Sequence, residues 1–360
     1  MCHNVTGYVN GYILMTKRSS SITIRDVARK AGVSVATVSR YLNQNAPVSE
    51  KLSERIQQVM DELDYVPQAT ARHLALRKKN AIGLLLTNIH NQFFAPLLAG
   101  IESVVRDQGY NLLVATCHPD FRNEYQFPLG DHNADGLLVF ADSLNDEQIN
   151  QFYERGFPMV LIHKTPPDGI DVPFVTVENK AATRKLVDHL ITAHGRRRIL
   201  LMRGPVKQED SYWREVGYRA ALADHGIEFD ETLVLRGSFE REIAYDALQT
   251  YLQNPDHPPF DAVFAGDDDA AVGVYEALTE AGLHIPQDVA VVGFDDSRMA
   301  PFLSPPLTTV RAPTEEVGRS AARQLFRLLE NKAPEPETLH STEIVLRVSC
   351  GCSMLSAAGK

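Results

Sequence analysis

Apolar runs alternate with amphipathic stretches over most of the chain, and this alternation restricts its fold more than any other feature. The runs lie at residues 82–86, 111–116, 136–140, 159–162, 174–177, 199–202, 262–265 and 289–294. Helical spacing fills several of the intervals, for example residues 94–108. Buried strands separated by helices predict a doubly wound, mostly parallel α/β architecture. A stretch of about 270 residues exceeds one ordinary core, so we expect two similar lobes.

A different pattern occupies residues 22–63, where three short helices are expected. Thr23 and Asp26 form a capping-box pattern for the first helix, and Gly32 ends it. Ser34 can cap a second helix that runs to about Asn43, and Ser49 can cap a third. Two helices joined by a tight turn that contains glycine, with a third helix behind them, predict a helix-turn-helix domain.

Charge is distributed unevenly along the chain. The formal net charge is −10, yet residues 1–79 carry twelve Lys and Arg against six Asp and Glu. A basic N-terminal region on an acidic remainder indicates that only the N-terminal region meets a polyanion.

Several motifs resemble the LacI/GalR (lactose-repressor) family of bacterial transcription regulators. They are TIRDVARKAGVSVATVSRYLN at residues 23–43, IPQDVAVVGFDD at 285–296 and RVSCG at 347–351. The resemblance covers residues 23–351 and implies a small all-α helix-turn-helix DNA-binding domain. It also implies an α/β core of two lobes, of the periplasmic-binding-protein type, related by three chain crossings.

The expected domain organisation follows from these patterns. We expect a disordered extension at residues 1–20, the DNA-binding domain at 21–66 and a hinge helix or linker at 67–79. The ligand-binding and dimerisation core is expected at 80–352, followed by a tail at 353–360. The family's tetramerising helix would not fit in that tail, so a homodimer on a palindromic operator is expected.

In the family, the second helix reads bases in the major groove of DNA. By this resemblance, Val35 and Ala36 match positions that choose bases, and Arg40 matches an arginine that reads guanine. The remaining polar residues have two alternative roles, phosphate contact and helix capping. They are Thr23, Ser34, Thr37, Ser39 and Asn43. Leu74 resembles the leucine that wedges into the minor groove, although packing against the core is an alternative for it.

Polar and aromatic side chains follow several of the apolar runs. Because open α/β sheets bind ligands beyond the carboxyl ends of their strands, we expect a pocket there. The candidates from this rule are Asn91, Phe93, His163 and Asp295. Phe93 is also compatible with the core, and Asp295 with a purely structural loop.

The family match adds three residues to the expected pocket. Arg214, Phe239 and Asp268 fall where an arginine, an aromatic residue and an aspartate hold the effector in the family. Guanidinium and carboxylate groups hydrogen-bond adjacent hydroxyls, and an aromatic ring covers the apolar face of a sugar. Asp268 has a second interpretation, as the cap of the helix that begins there.

The resulting functional hypothesis is a repressor of carbohydrate-metabolism genes that a small ligand, expected to be a sugar, controls allosterically. The alternative within regulation is a corepressor such as a purine. A stand-alone sugar-binding protein is disfavoured by the helix-turn-helix, and an enzyme by the lack of phosphate-loop and nucleophile-elbow motifs. We therefore expect no catalytic residues and no cofactor.

Four cysteines, Cys2, Cys117, Cys350 and Cys352, are too few for a disulfide framework in a chain of 360 residues. The spacing of Cys350 and Cys352 differs from that of a zinc ribbon, so no metal site is expected. Neither a membrane span nor a signal peptide is evident in the sequence, and a cytoplasmic protein is expected.

Overall fold

The structure is a computed structural model and describes residues 22–43, 47–65, 78–117 and 127–353. The chain divides into two compact units, residues 1–78 and 79–360, which are considered separately below. Three of the predicted regions lie outside the described residues. They are residues 1–20, most of the hinge with Leu74, and residues 354–360 of the tail. Among the described residues, no helix is long and apolar enough to cross a membrane.

The first unit contains the three predicted helices, α1 (Ile24–Ala31), α2 (Val35–Asn43) and α3 (Glu50–Glu62). The backbone N–H and hydroxyl of Thr23 both donate to Asp26 Oδ2, at 3.0 and 2.7 Å. Gly32 ends α1 with a φ of 66°, which a residue with a Cβ rarely adopts. The turn from α1 to α2 therefore has the geometry that the sequence predicts.

The ends of the next two helices differ in how they are capped. Ser34 Oγ accepts a 3.1 Å hydrogen bond from the Thr37 N–H, as predicted. Ser49 does precede α3, but its carbonyl oxygen rather than its hydroxyl accepts from the helix. One apolar face from each helix forms the buried core of this unit together with Tyr65. The helical members are Val27, Ala28, Ala31, Val38, Ile56, Val59 and Met60.

The second unit has two parallel sheets, which confirms the doubly wound architecture. The strands of the first sheet are β1 (Ala81–Leu86), β2 (Asn111–Thr116), β3 (Gly136–Phe140), β4 (Met159–Ile162), β5 (Phe174–Val177) and β11 (Glu337–His340). Those of the second are β6 (Ile199–Arg203), β7 (Val234–Arg236), β8 (Ala262–Phe264) and β9 (Ala290–Val292). The first sheet has the order β11-β5-β4-β3-β1-β2, and the second has the order β7-β6-β8-β9.

Helices pack against the two sheets and form two lobes. The first lobe holds α4 (Phe94–Asp107), α5 (Asp146–Glu154) and α10 (Thr314–Leu329). The second lobe holds α6 (Asn179–His194), α7 (Glu209–Asp224), α8 (Arg241–Gln253) and α9 (Asp268–Glu280). Strands β1 and β3 are completely buried, because helices cover both faces of a parallel sheet.

The chain passes between the lobes three times. It leaves the first sheet after β5, returns through β10 (Thr309–Arg311), and crosses again from β11 to β12 (Glu343–Val345). Strands β10 and β12 pair antiparallel, with Val310 opposite Ile344. This pair of crossing strands connects the lobes, so a change in the angle between the lobes would bend these segments.

Candidate functional site

The carboxyl ends of both sheets border a cleft between the two lobes. The cleft has a volume of about 560 Å³, which suits a small organic ligand. Its wall includes five of the seven residues predicted from the sequence, which are Asn91, Phe93, Arg214, Phe239 and Asp295. The structure thus brings together residues that the chain separates by up to two hundred positions.

Arg214 is the most tightly held side chain of the cleft. Its Nε donates to Asn179 Oδ1 at 2.9 Å, and its Nη1 donates to the carbonyl oxygen of Gly266 at 2.8 Å. The third nitrogen, Nη2, lies 3.3 Å from Asp295 Oδ1. Because three directions of the planar guanidinium are fixed, its orientation is set before any ligand binds.

Two aromatic rings cover the guanidinium of Arg214. The Phe294 ring centroid lies 3.7 Å from its Cζ, and the Phe239 centroid lies 5.1 Å away. Phe239 has a φ of 58°, and the outer end of its ring packs against Gly204, where a Cβ would meet Cζ at 2.2 Å. Gly204 is therefore the residue that allows the ring of Phe239 to reach the cleft.

Two carboxyl groups, those of the buried Asp267 and the partly buried Asp295, line the cleft beside Arg214. Burial and the neighbouring charge of Asp295 raise the pKa of Asp267 well above its ordinary value. Burial likewise raises the pKa of Asp295, although the positive charge of Arg214 opposes the shift. The pair thus places carboxyl oxygens at the wall of the cleft, beside the guanidinium.

A third carboxylate, Asp210, is held by residues of both lobes. His163 Nδ1 lies 3.0 Å from Asp210 Oδ2, and Asn179 Nδ2 donates to Asp210 Oδ1 at 2.6 Å. Burial alone would raise the pKa of Asp210, but the charges of His163 and Arg214 and the Asn179 hydrogen bond lower it. His163 and Asp210 therefore connect the end of β4 with α7 across the lobe boundary.

One of the predicted ligand residues needs correction. His163 is buried beside the rings of Phe93 and Phe140 and does not line the cleft; its imidazole contacts Asp210 instead. Asp268 lines an adjoining cavity of about 600 Å³ that shares Asn91, Phe93, Asp267 and Asp295 with the cleft. Its oxygens accept from Ser297 N–H and Thr309 Oγ1, both at 2.6 Å, and its contact with a ligand stays a prediction.

Asp267 also takes the capping role that the sequence suggested for Asp268. Its Oδ1 accepts a 2.8 Å hydrogen bond from the Ala270 N–H at the start of α9. Asp269 instead accepts from the Arg241 N–H. The three consecutive carboxylates have different partners, so they do not converge on one point as a magnesium site requires.

The sequence analysis missed several residues, among them Asp210 and Asp267, which line the cleft, and Asn179, which holds Arg214. Asn179 begins the helix directly after the β5 strand, so the rule about strand ends would have found it. Asp210 precedes Arg214 by one helical turn on the same face of α7. Asp267 was passed over only because its neighbour in the acidic run was chosen.

The first unit carries the candidate DNA-reading surface on α2. Val35, Ala36 and Arg40 are exposed, and Val35 retains 42% of its accessible surface although it is apolar. An exposed valine beside an exposed arginine on a helix start is compatible with base contacts in the major groove.

The polar residues predicted to contact phosphate have different surroundings. The hydroxyls of Ser34 and Thr37 lie 2.8 Å apart at the start of α2, and that of Thr23 donates to Asp26. Ser39 is half-buried. The side chain of Asn43 lies outside the described residues. Phosphate contact by these residues stays a prediction.

Two protein families match this chain. Residues 23–68 match the family described as bacterial regulatory proteins, lacI family, and residues 187–350 match a periplasmic binding protein-like domain. The ribose operon repressor of Escherichia coli (strain K12) is 34% identical over 90% of this chain and 98% of its own length. The transcriptional repressor PurR of Erwinia tasmaniensis is 32% identical over 88% of this chain and 93% of its own length.

Solved structures agree with these sequence matches. A complex of the transcriptional regulator CelR with cellobiose has a TM-score of 0.67 and 31% identity, and the match covers 91% of this chain and 99% of that one. A lac repressor dimer bound to operator and the anti-inducer ONPF has a TM-score of 0.75 and 26% identity, with 92% and 99% covered.

Proposed function

Since this chain belongs to the LacI family of bacterial regulatory proteins, we propose that a monosaccharide in the cleft switches its binding to operator DNA. The protein is a DNA-binding transcription regulator of that family. The proposal concerns the effector, the residues that hold it and the assembly on DNA.

The fixed guanidinium of Arg214 is the observation that carries the effector proposal. Its outer edge lies beside Asp267 and Asp295, so donors and acceptors alternate along one wall of the cleft. Adjacent hydroxyls of a sugar both donate and accept hydrogen bonds, and this wall satisfies both at once. Phe239 offers an aromatic face to the C–H side of the sugar ring. The ribose operon repressor, named for a pentose, supports the same class of ligand.

A purine is the second candidate. Phe93 and Phe239 come from different lobes and both line the cleft, and a planar heterocycle stacks on such rings. PurR is 32% identical to this chain. A purine corepressor would strengthen operator binding, whereas a sugar inducer would weaken it, so the sign of the effect distinguishes the two.

The proposed switch uses the contacts between the lobes. Thr165 in the first lobe donates to Glu209 Oε1 of α7 through its N–H and its hydroxyl, at 2.9 and 2.7 Å. Together with the His163–Asp210 contact, these bonds favour a closed arrangement. A ligand that contacts both lobes shifts the population toward that arrangement by its differential affinity. In a homodimer on a palindromic operator, this shift changes the fit of the two α2 helices to successive half-sites.

A thermal-shift panel of sugars, sugar phosphates, nucleosides and purines tests the effector class on the full chain. Each compound that raises the melting temperature is then added to the protein bound to an operator selected from a random-sequence DNA pool. The proposal expects a monosaccharide that stabilises the protein and weakens operator binding. A purine that strengthens operator binding would replace it, and stabilisation without any effect on DNA would contradict the switch.

A further inference from the structure

Two histidines and two cysteines lie together at the C-terminal end of α6, the opposite end of the helix from Asn179. His189 and His194 lie in the last turns of this helix, and Cys350 and Cys352 follow the last crossing strand, β12. The four ligand atoms, two imidazole nitrogens and two sulfurs, lie within 4.8 Å of one another. The histidines and the cysteines are about 160 positions apart in sequence, and none of the four lines the effector cleft.

The sulfur–nitrogen distances within this cluster are close to those of a tetrahedral metal site. Cys350 Sγ lies 3.7 Å from His189 Nε2, and Cys352 Sγ lies 3.4 Å from both His189 Nε2 and His194 Nε2. Zinc–sulfur bonds of about 2.3 Å and zinc–nitrogen bonds of about 2.0 Å, at tetrahedral angles, separate sulfur from nitrogen by about 3.5 Å. These three sulfur–nitrogen distances are therefore close to those around a tetrahedral zinc ion.

The backbone around the cluster allows this approach. Gly351, between the two cysteines, has a φ of 110°, and a Cβ there would meet His194 Nδ1 at 2.9 Å. A glycine is therefore required both for the turn and for the position of the imidazole. His189 and His194 are separated by four residues, which lies within the His spacing of structural zinc sites.

Cys350 also has a polar neighbour outside the cluster. Thr308 Oγ1 lies 3.1 Å from the sulfur, in a position to donate to it. Such a neighbouring donor orients and stabilises a metal ligand.

We propose that His189, His194, Cys350 and Cys352 form a tetrahedral site for Zn²⁺ that fastens the end of the chain to α6. The ion joins the segment after β12 to the helix whose first residue, Asn179, holds Arg214. All four positions of a structural zinc site are filled by protein, so the ion has no open position for chemistry. The proposal is independent of the effector and concerns the stability of the second lobe.

Hydrogen bonding alone is the competing explanation for these contacts, because a thiol can donate to an imidazole at similar distances. A disulfide between Cys350 and Cys352 is a second one. Both leave the protein without a stoichiometric metal ion, so metal content separates them from the proposal.

The test uses the full chain, purified under reducing conditions, stripped with a chelator and titrated with Zn²⁺ or Co²⁺. We expect one ion per chain, a higher melting temperature with Zn²⁺, and with Co²⁺ the intense visible absorption of a tetrahedral site together with thiolate-to-metal charge transfer. Cys352→Ser and His194→Ala, at half-buried positions, should lose both spectral features and the thermal shift. Cys117→Ser, at a half-buried cysteine in the first lobe, is the matched control and should keep them.

Binding of less than stoichiometric metal by the reduced wild-type chain would overturn the proposal, as would a Co²⁺ spectrum without charge transfer. Retention of the full spectrum in Cys352→Ser would overturn it as well. Since Cys352→Ser and His194→Ala are judged by the Co²⁺ spectrum, a folded variant without metal still gives a clear answer. Thermal melting in chelator confirms that each variant folds.

Discussion

Asn91 Nδ2 donates a hydrogen bond of 3.3 Å to the carbonyl oxygen of Phe239 and so joins the two lobes across the cleft. Asn91 follows β1 in the first lobe, and Phe239 follows β7 in the second. The side chain of Asn91 also accepts from the Phe93 N–H at 2.8 Å, which fixes its orientation. One amide therefore connects the position of Phe93 with that of Phe239, the two rings that line opposite sides of the site.

Asn91→Ala is expected to weaken effector binding by up to about tenfold, since one hydrogen bond contributes about 1 kcal/mol. Loss of the bond favours the open arrangement, and the apparent affinity falls with the fraction of closed protein. Isothermal titration calorimetry measures the effect. Gln92→Ala, at the next residue outside this cleft, is the control, and an equal loss there would mean that the loop as a whole is responsible.

Arg214→Lys is expected to lower effector affinity by at least about tenfold, equivalent to about 1.4 kcal/mol. Lysine keeps the positive charge between the carboxylates but cannot bond Asn179, Gly266 and Asp295 in one plane. Calorimetry gives the affinity, and thermal melting checks that the protein folds. The matched control is Arg219→Lys, on the exposed side of the same helix, where Arg219 bonds Glu215. Unchanged affinity in Arg214→Lys would remove Arg214 from the binding site.

Arg40→Ala is expected to weaken operator binding by about 1–3 kcal/mol and to relax the preference for one base. If Arg40 contacted only phosphate, its removal would instead weaken binding to all DNA sequences alike. The measurement is the set of operators enriched from a random pool by each variant. Arg29→Ala, at an exposed arginine of α1 paired with Asp26, should enrich the same sequences as the wild type. The assignment of Arg40 fails if its variant also does so.

The free energy of unfolding of Asp268→Asn, relative to that of the wild type, is expected to increase as pH rises. Burial and the charge of Asp295 raise the pKa of Asp268 from 3.8 to about 7, so its stabilising contribution is present below pH 3.8 and lost as pH approaches 7. The asparagine does not titrate, and so the free energy of unfolding of the variant minus that of the wild type should increase between these limits. Denaturant unfolding at several pH values measures this difference.

Asp288 supplies a control of opposite sign. Hydrogen bonds from the backbone and ring of His284 lower the pKa of this exposed carboxylate, so its contribution is lost as pH falls through that lowered pKa. For Asp288→Asn, the difference from the wild type should therefore decrease as pH rises. If the difference in free energy of unfolding between Asp268→Asn and the wild type does not depend on pH, the raised pKa of Asp268 is contradicted.

The sequence predicts most strands of the first sheet because they are largely apolar runs, even where, as in β2, the strand is half-exposed. The predicted limits of β2, β3, β4 and β5 coincide with the observed ones. Strands β7, β10, β11 and β12 were missed, since they are short or half-exposed and pair at sheet edges or crossings. Their polar residues carry no strong period, and tertiary pairing rather than local propensity fixes them.

The sequence predicts which loops form the site, but not which side chain of each loop reaches the cleft. Asp267 and Asp268 are adjacent, and only the start of α9 decides which carboxylate reaches the cleft. The cluster of His189 with Cys350 was invisible for a different reason. Its two halves are distant in sequence, and the Cys-x-Cys spacing alone does not match a common zinc motif.

The central claim is that the cleft and α2 are energetically coupled, and one measurement tests it most directly. The affinity of the stabilising monosaccharide is determined by calorimetry for the full chain, alone and saturated with its selected operator. Linkage requires that operator DNA lower this affinity by the same factor by which the sugar weakens operator binding. Equal affinities with and without DNA would contradict the claim, whatever the identity of the residues that hold the ligand.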